Sequence, residues 1–237
     1  MSQFGFCQEL QAILDTRRVI GRTGKCFDGL NALSTENNLR ILRSFCMEFQ
    51  PRKTLEVGLS FGGSALVFTA SHRDIGSQPQ RQHVAIDPFQ LTVWDDCGLL
   101  ALERAELLSY LDFRGNFSAF ELPKLYEAGD RFDLVYIDGS HLFEDVFVDA
   151  YYLLRLLSDK GIVTFDDSSN PNVAKVLQFI RKNYKDSLEE LDLTGYRQSN
   201  TQKFAYRLAR KFGKAQFTAF RRLGKIEREW NALFHNF

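Results

Sequence analysis

From Thr54 onward, apolar positions alternate between short continuous runs and stretches in which they recur every three to four residues. The runs TLEVG, HVAID, FDLVYID and GIVTFDD read as strands buried on both faces, with a shorter strand near Leu111 to Phe113. Between them the spacing predicts a helix from about Gly63 to His72, one through Leu99 and Leu107, and one around Leu122 to Tyr126. A further helix carries Phe143, Val146, Phe147, Ala150, Leu153, Leu154 and Leu157. Upstream, Ser34, Thr35 and Glu36 open a helix with Leu39, Ile41, Leu42, Phe45 and Phe49 on its apolar face, stopped by Pro51. Strands alternating with helices predict an α/β fold, a mostly parallel sheet covered on both faces, with ligands beyond the carboxyl ends of the strands.

The two ends of the chain depart from that alternation. Residues 1–33 read as an N-terminal helical arm and residues 34–211 as one domain. After Pro171, the residues Val173, Val176, Leu177 and Ile180 predict another helix, and LEELDLT with KFAYRLA predicts an antiparallel edge pair. The tail, 212–237, spaces Phe217, Phe220, Leu223, Ile226, Trp230 and Leu233 like one face of a basic amphipathic helix.

Two acidic strand ends change the picture from fold to chemistry. Asp138 closes FDLVYID, and Asp166 with Asp167 closes GIVTFDD, with one helical stretch between the runs. A strand, helix, strand crossover is right-handed and parallel, so both runs end at one edge of the sheet. The ends of paired neighbours lie about 5 Å apart, where like charges raise each other's pKa unless a cation intervenes. A divalent metal held by Asp138, Asp166 and Asp167 would resolve the conflict; caps and turn ends are the plainer roles for the same residues. Successive strand residues point to opposite faces, so Asp166 and Asp167 can converge only beyond the strand, an ending that Ser168, Ser169, Asn170 and Pro171 supply.

The first strand runs into Glu56-Val57-Gly58-Leu59-Ser60-Phe61-Gly62-Gly63-Ser64, a glycine turn that opens a helix. Glycine admits close backbone approach, and a helix N-terminus offers N–H groups to a carboxylate or phosphate. Ser60 stands where the dinucleotide fingerprint has its second glycine, which argues against NAD. Asp87, ending the next strand, can accept hydrogen bonds from ribose hydroxyls or cap the turn at Pro88.

Charge and cysteine usage narrow the partners. Thirty Lys and Arg balance thirty Asp and Glu, so no global field favours nucleic acid or an anionic membrane. From Arg197 onward, however, ten Lys or Arg face only Glu227 and Glu229. Cys7, Cys26, Cys46 and Cys97 are scattered without a CxxC pair, as expected of reduced thiols in a cytoplasmic protein. The N-terminus has no sustained apolar core before a small-residue cleavage site, and about twenty apolar residues never run together, so the chain reads as neither secreted nor membrane-spanning.

Together EVGLSFGGSA, IDPF, FDLVYIDGSH and GIVTFDD resemble the class I S-adenosylmethionine-dependent methyltransferases. The similarity runs from about Ser34 to Leu208 and is nearest to the metal-dependent small-molecule O-methyltransferases, the catechol and caffeoyl-CoA types and relatives acting on natural-product sugars. The resemblance implies a Rossmann-like, doubly wound, seven-stranded sheet with an antiparallel edge strand, here with helical extensions at both termini. It places Glu56, Gly58, Ser60, Phe61, Gly62 and Ser64 around the methionine part of S-adenosyl-L-methionine, Asp87 at its ribose and Ser118 at its adenine, with Asp138 at the shared edge of cofactor and metal. It makes Asp138, Asp166 and Asp167 ligands of Mg²⁺ or Mn²⁺. The chain departs from the catechol enzyme in two places: His141 replaces a lysine base, and Asp167 an Asn ligand.

Such a site would align a hydroxyl of a small molecule for in-line methyl transfer, with the metal lowering the hydroxyl pKa and His141, whose type titrates at about 6.5, taking the proton. Two other classes stay open: a methyltransferase whose aspartates serve only cofactor and loop, and a non-catalytic S-adenosylmethionine-binding protein. Methylation of nucleic acid is not expected, because an NPPY-like motif is absent after the fourth strand. The basic tail would either draw an acidic substrate or, as the apolar spacing favours, pack on the domain or on a second subunit, a homodimer through the terminal helices.

Overall fold

The computed structural model describes residues 4–76 and 82–236; the first three residues of the predicted arm and Phe237 of the predicted tail lie outside them. The chain divides into two compact units, 1–118 and 119–237.

The first unit opens with α1 (Gln8–Thr16), which buries Leu10 and Ile13 and ends at Arg17 in the left-handed region. A small hairpin follows, β1 (Arg18–Ile20) antiparallel to β2 (Cys26–Asp28), turning at Gly24 with φ 90°. The described part of the arm is therefore helix plus hairpin: Gly21, Gly24 and the run RVI supply turn and strand within what reads in sequence as a helical arm. Next, α2 (Glu36–Phe49) starts at Thr35, whose side chain accepts from the Asn38 amide, and buries Leu39, Ile41, Leu42 and Phe45. β3 (Thr54–Val57) is buried at every position, as is α3 (Gly63–Asp74) through His72. β4 (His83–Ile86) pairs parallel with β3, setting Thr54 opposite His83 and Glu56 opposite Ala85. After α4 (Cys97–Arg104), β5 (Leu111–Arg114) pairs parallel with β4. α4 stops short of the predicted Leu107, at a turn in which Glu106 takes φ 58°.

The second unit begins with α5 (Ser118–Glu127) and β6 (Phe132–Ile137). α6 (Phe143–Leu156) passes without a loop into β7 (Leu157–Phe165), which pairs parallel with β6. This is the predicted crossover. α7 (Pro171–Asn183) has Asn170 as its cap and Pro171 in its first turn, where a missing N–H is harmless. β8 (Leu188–Glu190) pairs antiparallel with β9 (Thr218–Arg222), and β9 with β7.

Two expectations are corrected here. KFAYRLA lies in α8 (Asn200–Lys211), where Ser199 and Gln202 form a reciprocal cap and only Tyr206 is buried. Phe204 and Leu208, one helical turn apart, are 69% and 47% exposed while Tyr206 between them is buried, which in sequence reads as alternation. The tail likewise contains no helix among its described residues; instead Thr218, Ala219 and Phe220 are all buried in β9, and a strand buried on both faces loses its period of two. Trp230 and Leu233, predicted on the packed face, are 94% and 79% exposed. The sheet order is β5-β4-β3-β6-β7-β9-β8, an α/β, Rossmann-like arrangement of seven strands, mostly parallel with antiparallel pairing at one edge.

Candidate functional site

In the first unit, the glycine turn follows β3 and is tied to the end of β4. Gly58 takes φ 96°, Ser60 46° and Gly62 81°. Its amide links to the next strand, Gly58 N–H donating to the Ile86 carbonyl at 2.9 Å. A side chain at Gly62 would meet the Gly98 carbonyl at 2.9 Å, and one at Gly98 would come within 2.6 Å of the Ser60 carbonyl. Backbone therefore packs directly on backbone between the turn and α4.

Asp87, buried, organises this turn. Its carboxylate accepts from the amides of Leu59 at 3.2 Å, Ser60 at 2.8 Å and Phe89 at 2.7 Å, and from the Gln90 side chain at 3.1 Å. Gln90 also donates to the Ser60 carbonyl at 2.7 Å and accepts from the Gly98 amide at 3.2 Å. Gln90 and Gly98 went unrecognised in the sequence, because Phe89 to Cys97 has no periodicity to read. Phe61 packs in an aromatic trio with Phe27 of β2 and Trp94, at centroid distances of 5.4 and 5.3 Å. The hairpin and the 88–96 segment thus hold the turn from outside, with Arg22 bridging to Asp96 at 2.5 Å.

Glu56 is wholly buried, and neither of its carboxylate oxygens completes a hydrogen bond among the described residues. Burial raises its pKa well above the usual carboxyl range; the Ser64 hydroxyl opposes this, and the Asp87 charge adds to it. Orphaned buried acceptors beside a glycine turn fit a ligand with a positively charged or hydrogen-donating end, as the amino-acid part of S-adenosylmethionine has. Ser118 is half-buried at the first position of α5, after β5.

In the second unit the acidic strand ends separate into two roles. β7 ends at Phe165, and Asp167 adopts φ 43°, so the two aspartates diverge. Asp166 is buried: it takes the Tyr136 hydroxyl on one oxygen and the Asp167 amide on the other at 2.7 Å. The Tyr136 oxygen also lies 3.0 Å from Asp138 Oδ2, so its single hydrogen is shared between the two carboxylates. Asp167 turns instead to His141, with Oδ2 2.9 Å from Nε2.

One ligand atom each from Asp138, His141 and Asp167 lies within 4.8 Å of the others. Two carboxylate oxygens and an imidazole nitrogen, partly open to water, suit a divalent ion that keeps some of its waters. The structure gathers His141 into this set and leaves Asp166 behind it, beneath Tyr136. Gln216 donates to the second Asp167 oxygen and accepts from Ser169 at 2.7 Å. Asn172, in the first turn of α7, donates to the His141 carbonyl at 2.9 Å. Gln216 could not have been found from sequence, because β9, which delivers it, lay inside the misread tail.

No curated protein matches this sequence. Among solved structures, the O-methyltransferase TomG from Streptomyces achromogenes, involved in tomaymycin synthesis and solved with SAM, is similar at 17% identity, over 94% of this chain and 92% of that one, with a TM-score of 0.63. An O-methyltransferase from Bacillus cereus, solved with SAH, is similar at 14% identity over the same shares, with a TM-score of 0.60. At those identities the likeness is one of fold. Residues 55–168 match the family described as methyltransferase domain. That match runs from the strand before the glycine turn to just past Asp167, so the stretch that carries the turn and the acidic strand ends is similar to a methyltransferase domain.

Proposed function

We propose that the chain methylates a hydroxyl of a small molecule, using a divalent ion held by Asp138 and Asp167. The observation that carries this reading is the convergence of Asp138, His141 and Asp167 within 4.8 Å. The similar folds of two O-methyltransferases, both solved with the donor or its product, support oxygen as the acceptor atom. When bound, Mg²⁺ or Mn²⁺ would acidify and orient the acceptor hydroxyl. S-adenosylmethionine would supply the methyl group as a sulfonium.

The chain's own residues do the rest. Gly58 to Ser64, Glu56 and Asp87 bind and orient the donor. Asp166 and Tyr136 buttress Asp138, and Gln216 fixes Asp167. His141 is oriented by Asp167: an Nε2–H donated to Oδ2 leaves Nδ1 as an acceptor, the role a general base needs. The 4.8 Å cluster favours a second role, with Nε2 as the third metal ligand. Titration of Mg²⁺ and Mn²⁺ into His141→Ala decides between them. Lost turnover with unchanged metal affinity marks a base; affinity weakened by about 10- to 100-fold marks a ligand.

The reaction itself is tested by incubating the protein with S-adenosylmethionine and a panel of vicinal diols and catechols, and measuring released S-adenosylhomocysteine before and after EDTA. Activity abolished by EDTA and restored by Mg²⁺ or Mn²⁺ is expected. Full activity after thorough chelation would leave the aspartates a purely architectural role.

No helix of the described residues is long and apolar enough to cross a membrane. A cytoplasmic location is part of the same proposal, supported by four cysteines scattered without a CxxC pair.

A further inference from the structure

His83, at the start of β4, belongs to no motif of the glycine turn, yet it is the nearest ionisable partner of Glu56. Both are wholly buried, with His83 Nε2 3.2 Å from Glu56 Oε1. The imidazole is fixed on its other side and on its face. Nδ1 lies 2.9 Å from Thr54 Oγ1, which lies 2.9 Å from His72 Nε2 on α3, and the Phe68 ring stacks on the imidazole at 4.7 Å. A polar chain thus runs His72, Thr54, His83, Glu56 through the packed layer between α3 and the β3–β4 pair.

The register explains it. Thr54 and Glu56 are two residues apart on β3 and share a face, and Thr54 stands opposite His83. The Thr54 hydroxyl has one hydrogen to give and lone pairs to receive. If it donates to Nδ1, Nε2 carries its hydrogen toward Oε1; in the reverse sense, bare Nε2 faces the Glu56 carboxyl hydrogen. Both senses place a proton between imidazole and carboxyl. At 3.2 Å neither atom completes a hydrogen bond among the described residues, so the carboxyl is steered by His83 without being saturated by it. Its oxygens stay available to a ligand.

We propose that His83 is a positioning residue for the methyl donor, setting the Glu56 carboxyl to receive the amino-acid end of S-adenosylmethionine through the His72–Thr54–His83 chain. The inference rests on the reading of Glu56 as a contact of that end of the cofactor.

The test compares two ligands by calorimetry: S-adenosylhomocysteine, which has the amino-acid end, and 5′-methylthioadenosine, which lacks it. His83→Leu should weaken S-adenosylhomocysteine about tenfold and leave 5′-methylthioadenosine within about twofold; His83→Gln, which restores a donor, should recover part of the loss. Thr54→Val, which breaks the chain behind His83 and leaves the imidazole in place, should fall between wild type and His83→Leu, and it keeps the test alive if the leucine variant does not fold. Adding Glu56→Gln to His83→Leu should cost no further affinity. Equal losses for both ligands would mean that His83 only supports the fold, and unchanged affinities would remove it from cofactor binding. Wild-type protein that failed to bind S-adenosylhomocysteine would instead overturn the reading of Glu56.

Discussion

The glycine turn and the acidic cluster are both built at strand ends, but they are finished to different degrees. Around the turn, Asp87 is buried and accepts from four donors, and Gln90 ties turn, strand end and α4 together. In the cluster, His141 is 46% exposed and Asp167 35%, and Asp167 is held by His141 on one oxygen and Gln216 on the other. A carboxylate already surrounded by donors is part of the scaffold; a partly exposed carboxylate beside another has room for a cation. In the function we propose, the same residue type therefore has opposite jobs: Asp87 shapes the turn, whereas Asp138 and Asp167 would be ligands themselves.

The sharpest way to break that comparison is to neutralise the cluster. Asp138→Asn and Asp167→Asn should each lower kcat by about 10²- to 10³-fold with metal present, the scale of several kcal/mol of lost charge stabilisation, while S-adenosylhomocysteine binds as in wild type. Calorimetry and single-turnover assays on the same preparations check both halves. Asp166→Asn, whose carboxylate lies beneath Tyr136, should change metal affinity less than either.

Asp87→Ala should act the other way, on binding and stability together. It strands the amides of Leu59, Ser60 and Phe89, so we expect a loss of about 3 kcal/mol in urea melts and a weakened cofactor, with metal affinity unchanged. An intact cofactor affinity would show that the turn holds its shape without its carboxylate anchor. Gly98→Ala sharpens the point with one methyl group. Its Cβ would sit 2.6 Å from the Ser60 carbonyl, and because backbone cannot swing aside as a side chain can, about 2 kcal/mol of destabilisation is expected, together with weaker cofactor binding.

The same contrast governs what could be read from the sequence. The strand ends were legible because buried parallel strands carry unbroken apolar runs that stop at polar residues, so Asp87, Asp138, Asp166 and Asp167 could be placed before any coordinates. The glycine turn was legible because Gly58 and Gly62 need positive φ. Contacts between distant segments were not. Gln90 and Gly98 act on the turn through a segment with no period, and Gln216 reaches Asp167 from 49 residues away. Nor does a sequence say which of two adjacent aspartates faces inward; the backbone at Asp167 decided that. The tail was misread because Phe217 and Phe220 at helical spacing are equally consistent with a strand covered on both faces.

The smallest effect expected concerns the buried pair behind the turn, and it shows how far the scaffold of the first unit is insulated from solvent. Burial pushes the His83 imidazole down to about 3, so it is neutral near pH 7, and pushes the Glu56 carboxyl up. Their linkage terms oppose each other. Below about 6.5 the unfolded chain protonates His83 and the folded chain does not, so stability falls as pH drops toward 3. Glu56 does the reverse: its folded pKa is raised, so its contribution is present below the ordinary carboxyl value and is lost as pH rises through the folded one. The wild-type profile alone therefore conceals both. Subtracting it from that of His83→Gln isolates the histidine: relative to wild type, the variant should gain about 1.4 kcal/mol per pH unit on acidification below about 6.5, or about 2 kcal/mol by pH 5, and nothing above pH 7. Parallel urea melts at pH 5, 6, 7 and 8 measure this, and parallel profiles for the two proteins would mean that water reaches the imidazole and that the first unit is no more sealed than the second.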